Sequence, residues 1–227
     1  MDRELILIVD DNPDIRLFVK SALEEEGFEV MEAIDGLTAL TVFAESKPTV
    51  VILDLSMGQP DGFEVCRKIR MTSDVPIIML TNRNKELDEA MCLAAGADDY
   101  IIKPVSAQIL GLRVRNQLRH RNISEVRDLK ILKSGVLLLD TESRELMVES
   151  IKVPLTRTEY DFLYLLMENP KRVFTREQVI EAIGGSIVFA SYSLLDTHAS
   201  RLRLKINAAG GPRVIAAVRG VGFRLWP

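Results

Sequence analysis

Only two cysteines occur in 227 residues, and Cys66 and Cys92 each stand singly in a helix-like pattern. Neither a disulfide framework nor a zinc cluster can be built from them. No apolar run approaches the ~20 residues that a membrane helix needs. The opening MDRELILIVDD carries acids at once and has an apolar stretch of only Leu5 to Val9. That is the pattern of a strand and not of a secretion signal. These absences exclude a membrane protein, a secreted scaffold, collagen, a coiled coil and a disordered tail, and they make the reducing cytoplasm the expected location. What remains is ordinary globular composition, 47% apolar and 27% charged, in a chain long enough for two domains.

The net charge of −4 hides an asymmetry. Residues 1–123 carry −7 and residues 124–227 carry +3. From Ser193 onward there are six basic residues (Arg201, Arg203, Lys205, Arg213, Arg219, Arg224) and one acid, Asp196. An acidic front and a basic tail imply separate tasks, and a polyanion suits the tail. Charge alone would fit a merely solvated face equally well.

The first half alternates apolar runs with helix-period stretches. The runs are Leu5–Val9, Val30–Ala33, Val50–Leu53, Ile77–Leu80 and Tyr100–Ile102. Several are apolar at consecutive positions, as strands buried on both faces are. Helical spacing joins Ile15, Phe18, Val19 and Ala22, and again Phe63, Cys66 and Ile69, with Asp14 and Asp61 as caps or first-turn acids. Five such alternations predict an α/β, doubly wound (βα)5 parallel sheet. The polar stretch around Arg119–Asp128 closes this domain. The second half opens with predicted short strands at Leu129–Lys133, Val136–Leu139, Glu145–Val148 and Ile151–Val153. Helices are expected over Thr158–Glu168, Thr175–Ile183 and Leu194–Ile206. Thr156 with Glu159, and Thr175 with Gln178, have the spacing of capping boxes. A hairpin, Val214–Val218 and Phe223–Leu225, turns at Gly220-Val221-Gly222. Three helices ending in a hairpin make an α+β winged-helix pattern.

In an open parallel sheet the active crevice lies at the carboxyl ends of the strands. The first strand ends in Asp10-Asp11, the third in Asp54, the fourth in Thr81 and the fifth in Lys103-Pro104. Three carboxylates on one edge cannot all stay ionised without a cation. Oxygen ligands favour Mg²⁺, which takes one or two carboxylates and keeps several waters. Asp54 can then attack a phosphoryl donor, while Lys103 and the cation screen the phosphoryl oxygens and the Thr81 hydroxyl donates to one of them. A cis bond before Pro104 would aim Lys103 inward. Taken singly, each of these residues is a common cap, turn or surface residue; their joint occurrence at successive strand ends is what specifies the chemistry.

Residues 4–120 resemble the receiver domain of two-component response regulators. Asp10-Asp11, Asp54, Thr81 and Lys103-Pro104 match its phosphorylation site, and Gly96-Ala97-Asp98-Asp99-Tyr100 places Tyr100 at the family's aromatic switch position. Residues 129–226 resemble the winged-helix effector domain of the OmpR/PhoB subfamily. The matching pieces are Leu155-Thr156-Arg157-Thr158-Glu159, Thr175-Arg176-Glu177-Gln178, His198-Ala199-Ser200-Arg201-Leu202-Arg203 and Val218-Arg219-Gly220-Val221-Gly222-Phe223. The resemblance implies a receiver over residues 1–121, a linker over 122–128 and a DNA-binding domain over 129–227. It also implies a transcription factor that accepts a phosphoryl group on Asp54 from a sensor histidine kinase, with Asp10, Asp11, Asp54 and Ser56 at the Mg²⁺ site. A homodimer, promoter DNA and RNA polymerase are its implied partners, the last through Gly184–Tyr192.

The sequence departs from the family pattern in several places. Gly58 and Gln59, followed by Pro60, stand where Pro and Gly are usual after the phosphoacceptor. Asn82 replaces a small alanine after Thr81. Met91 and Ile109 stand where the family usually has a basic and an acidic residue on the face that pairs receivers. Ser193 opens the recognition helix where arginine is frequent.

Helical spacing over Leu194–Ile206 puts Thr197, Ser200, Arg201 and Lys205 near one face, with Leu195, Ala199, Leu202 and Ile206 opposite. A helix basic on its outer side, second in a helix-turn-helix pair, belongs in the major groove. Arg201 is the expected leading base contact, with Ser200, Arg203 and Lys205 on bases or phosphates. Arg219, on the wing, is expected in the neighbouring minor groove. Two other functions compete. A phosphohydrolase using an aspartyl phosphate would need a carboxylate two residues after the nucleophile, where this chain has Ser56, so an enzyme is not expected. An atypical regulator of the same fold acting without phosphorylation stays open, on account of Asn82 and Gly58-Gln59.

Overall fold

The computed structural model describes residues 3–82, 91–92, 95–124, 131–183 and 192–226. They form two compact units, Met1–Leu118 and Arg119–Pro227. In the first, β1 (Leu5–Val9), β2 (Glu29–Ala33), β3 (Val50–Asp54), β4 (Ile77–Thr81) and β5 (Asp99–Ile102) make one parallel sheet in the order β2-β1-β3-β4-β5. The consecutive apolar runs read from the sequence are these strands. β1, β3 and β4 lie inside the sheet and β3 and β4 are buried along their whole length, whereas the edge strand β2 is mostly exposed.

Helices connect the strands. Asn12 caps α1 (Pro13–Glu25), its side chain accepting from the backbone N–H of Asp14 and Ile15, with Pro13 in the first turn. Asp35 caps α2 (Gly36–Ser46), and Asp61 caps α3 (Gly62–Arg70) by accepting from Glu64 N–H. After β5, α4 (Ala107–Ser124) runs three residues beyond the end expected for the first domain at 121; residues 125–128 of the expected linker lie outside the described residues. Side chains alternate across the sheet into two cores. One holds Ile6, Ile8, Ile52, Ile78 and Leu80, and the other Leu7, Val9, Val51, Leu53 and Met79. Truncating Ile52, fully buried at the centre, would cost about 2–5 kcal/mol through lost burial and a cavity.

The second unit opens with an antiparallel meander, β6 (Ile131–Ser134), β7 (Leu137–Asp140), β8 (Glu145–Val148) and β9 (Ile151–Val153). Then come α5 (Arg157–Glu168), β10 (Phe174–Thr175), α6 (Arg176–Ala182), α7 (Tyr192–Ala208), β11 (Ile215–Val218) and β12 (Gly222–Leu225). Both capping boxes form, Thr156 with Glu159 and Thr175 with Gln178, each with its two reciprocal bonds. One core gathers the sheet, the helices and the hairpin, with Phe162 edge-on to Phe223 at 5.3 Å between ring centres.

The sequence pattern missed β10. Two residues, Phe174 and Thr175, are too few to show a strand period, yet they pair with Phe223 and Gly222 of the hairpin. Gly222 is required there: a Cβ on it would lie 2.0 Å from the Phe174 carbonyl oxygen. At the hairpin turn, Gly220 has φ of +73°, a conformation that favours glycine.

Candidate functional site

The parallel register brings the expected residues to one sheet edge. Asp10 directly follows β1, Asp54 ends β3, Thr81 ends β4, and Lys103 directly follows β5, its N–H donating to the Thr81 carbonyl at 2.8 Å. Asp10, Asp54 and Thr81 are buried, and Asp11 is exposed. The Lys103 ammonium bridges two acids, 2.6 Å from Asp10 Oδ2 and 2.8 Å from Asp54 Oδ1. The Lys103–Pro104 bond is cis. The remaining Asp54 oxygen, Oδ2, accepts from the Ser56 backbone N–H at 2.8 Å. Ser56 therefore reaches the acceptor through its backbone.

Burial pushes the Asp54 carboxyl above the ordinary range, and neighbouring Asp10 adds to the rise, while Lys103 opposes it. Asp10, Asp11 and Asp54 can each offer one oxygen with all three within 4.8 Å of one another. An all-oxygen set of this size, opening to water at Asp11, suits a hard cation such as Mg²⁺, which retains waters.

Arg16 belongs to this site and was not singled out in the sequence. One turn into α1, its Nη1 donates to the carbonyls of Asp10 (2.8 Å) and Asp11 (3.2 Å), and its Nε lies 3.4 Å from Glu32. It holds the loop that carries the two acids. The available signal was an arginine six residues after Asp10 on the flank of a strand-end helix.

Thr81 and Tyr100 lie on the same face of the sheet, since Thr81 registers with Ile102 and Met79 with Tyr100. Tyr100 is half-buried. Asn82, Gly58 and Gln59 are exposed. Beside Tyr100, Asp99 of β5 is ion-paired with Arg113 of α4 at 2.8 Å, and Arg70 of α3 reaches Asp98 at 2.5 Å and the Gly96 carbonyl at 2.8 Å. Burial holds the Asp99 carboxyl above the ordinary range against the pull of Arg113. Met91 is exposed and Ile109 half-buried.

In the second unit the helix expected to read DNA is present, but it is turned. The exposed side of α7 carries Asp196, Ser200, Leu204 and Asn207, flanked by half-buried Thr197 and Arg203. Arg201 and Lys205, expected to face outward, turn toward Glu159 instead, Arg201 buried and Lys205 half-buried. Arg201 is 9% exposed, with Nε 3.1 Å from Glu159 of α5, and Lys205 Nζ lies 2.6 Å from the same carboxylate. The physical reason is Glu159 itself, a buried acid that gives both cations a partner. Arg203 donates through Nε to the Ile215 carbonyl at 2.8 Å, joining α7 to the hairpin. Arg176 of α6 grips the exposed Asp196 at 2.8 and 3.0 Å. Arg219 is exposed beside the hairpin turn. His198 is fully buried. Residues 184–191, most of the expected polymerase-contacting loop, lie outside the described residues. Among the described residues no helix is long and apolar enough to cross a membrane.

A buried aspartate at the third strand end, served by an acid pair and a lysine, defines a receiver; three helices and a hairpin following it define a winged helix. Comparison with known proteins agrees with both halves. Residues 6–115 match the response regulator receiver domain, and residues 150–225 match the C-terminal domain of transcriptional regulatory proteins. The chain is 40% identical to the response regulator MprA of Mycobacterium sp. (strain KMS) over 97% of its own length and 96% of the relative's. Among solved structures it is similar to a cysteine-to-serine mutant of RitR (TM-score 0.80, 25% identity, 98% of this chain and 99% of that one). It is also similar to the response regulator DrrB of Thermotoga maritima, an OmpR/PhoB homologue (TM-score 0.53, 28% identity, all of both chains). The chain belongs to the two-component response regulators of the OmpR/PhoB family. That family consists of transcription regulators and not of enzymes.

Proposed function

We infer that this regulator is a cytoplasmic transcription factor that accepts a phosphoryl group on Asp54 from a sensor histidine kinase and binds promoter DNA through its second unit. The observation that carries this is Lys103 set between Asp10 and Asp54, 2.6 and 2.8 Å from their oxygens. In the transfer, an Asp54 oxygen forms the new P–O bond as the donor's P–N bond breaks, and the electron pair leaves with the imidazole. Lys103 stays beside the growing negative charge, the Ser56 N–H fixes the second carboxylate oxygen, and Thr81 supplies a hydroxyl to the phosphoryl group. Asp10, Asp11 and Asp54, with Ser56 at the margin, would hold Mg²⁺, which supplies charge neutralisation at the phosphoryl oxygens.

Phosphate adds roughly −1.5 to −2 charges. Thr81 moves to bond it and Tyr100 turns into the space on the same sheet face, reshaping the surface around β5 and favouring a homodimer. Two linked winged helices then engage adjacent half-sites, so the second contact becomes intramolecular. On α7 the groove-facing residues are Thr197, Ser200 and Arg203, with Arg219 of the wing in the minor groove; Arg201 and Lys205 brace the helix from behind. The segment before α7 is the proposed contact for RNA polymerase. The deciding experiment is labelling by a small phosphodonor, with and without Mg²⁺. Wild type is expected to take up label only with Mg²⁺ and Asp54→Asn none. Equal incorporation in the two proteins would overturn the assignment of Asp54.

A further inference from the structure

Glu159 is a fully buried acid whose carboxylate meets Thr156, Lys205 and Arg201. Its Oε2 accepts from the Thr156 N–H at 2.8 Å, which closes the capping box of α5, and from Lys205 Nζ at 2.6 Å. Its Oε1 lies 3.1 Å from Arg201 Nε. The Thr156 hydroxyl oxygen in turn accepts from the Glu159 N–H at 3.3 Å. Lys205 is held a second time, donating to the Pro154 carbonyl at 2.9 Å. At about 100° per residue, Lys205 lies roughly 140° round α7 from exposed Ser200, and Arg201 about 100°. Two of the six basic residues after Ser193, buried Arg201 and half-buried Lys205, are thereby tied to one buried acid.

We propose that Glu159 withholds Arg201 and Lys205 from DNA, so that α7 meets the duplex with a face of low charge. This rests on the DNA-binding function inferred above. A cation on a phosphate strengthens binding to every sequence alike, and each one adds about 0.9 to the slope of log affinity against log salt. Sequence is read by hydrogen bonds and apolar contacts to base edges. Holding two cations back lowers binding to wrong sequences without removing any contact that distinguishes bases. Glu159 acts here as a positioning residue and never touches the nucleic acid. Asp196, Thr197, Ser200, Arg203 and Leu204 are left to meet the groove.

The test uses the full chain, a mixed-sequence duplex and a duplex selected by the wild type from a random pool. Glu159→Gln keeps an acceptor for the Thr156 N–H but loses the charge. It is expected to steepen the salt slope on the mixed duplex by about one to two units and to lower the preference for the selected duplex about tenfold. A merely structural role would weaken binding with no steeper slope. Lys205→Met serves where Glu159→Gln fails to fold as judged by circular dichroism: its slope is expected to equal the wild type's. A folded Glu159→Gln with an unchanged slope, or a Lys205→Met slope lower by about one unit, would overturn the proposal while leaving DNA binding intact. A wild type that binds neither duplex at low salt would overturn the DNA-binding function and this inference with it.

Discussion

Replacing Lys103 by Met removes the ammonium shared by two buried carboxylates. At 2.6 and 2.8 Å, each contact supplies about 6 kcal/mol of attraction at an effective dielectric near 20. Desolvation of three ions offsets most of that. Deleting one partner of a buried pair costs about 3–5 kcal/mol because the other charge stays behind unpaired. Here two charges stay behind, on Asp10 and Asp54, which are only 1% and 2% exposed. Asp54 has an escape, since burial already raises its pKa and a proton can neutralise it. The expected loss is therefore near the lower end, about 3 kcal/mol, in Mg²⁺-free buffer. Urea unfolding followed by circular dichroism measures it. The same substitution in Asp54→Asn should cost about 1–2 kcal/mol less, because one of the stranded charges is gone. A loss below about 1 kcal/mol, or equal losses in the two backgrounds, would refute this account of the site.

Three further outcomes follow from the same geometry. The folded chain holds a proton on Asp54 more tightly than the unfolded chain does, so this group favours the fold below the ordinary carboxylate pKa of about 4 and loses that contribution as pH rises through the raised value. Without Mg²⁺, the stability of wild type relative to Asp54→Asn should fall as pH increases from about 4, and a rise instead would contradict the burial of this carboxyl. Arg219→Ala should lower the salt slope of DNA binding by about one unit; an unchanged slope would place the wing away from phosphates and groove. Exposed ion pairs are worth only ~0–1 kcal/mol, and exposed Met91 with half-buried Ile109 offers an apolar contact in their place. Sedimentation should therefore show pairing of the chain that persists at high salt, and a pair that salt dissolves would argue against this face.

The parallel sheet was legible because β3 and β4 are buried on both faces, which leaves unbroken apolar runs that few other structures produce. The acid and lysine positions followed from where those runs stop. Arg16 was harder to read, because its spacing from Asp10 does not reveal that its side chain bonds the Asp10 and Asp11 carbonyls. Arg201 misled for a different reason. Charged residues are rarely buried unless paired, so periodicity placed it outward, and its partner Glu159 lies 42 residues earlier in the chain. The capping box at Thr156 had drawn attention to Glu159 for its local bond only. β10 escaped because a two-residue strand is defined by its pairing and has no period of its own.

The contact between Gly222 and the Phe174 carbonyl makes the hairpin a lever with a fixed pivot. Thr175, the cap of α6, is the very residue registered with Gly222, so the pivot is built into the start of that helix. Arg219 stands in the turn, next to Val218, which is itself registered with Gly222. A small tilt about a pivot that near moves the arginine only slightly. The tip of the hairpin thus stays in step with the start of α6. A methyl group at residue 222 would strike backbone and not a yielding side chain, so Gly222→Ala would shift the pivot itself, and every contact the tip makes would be displaced together.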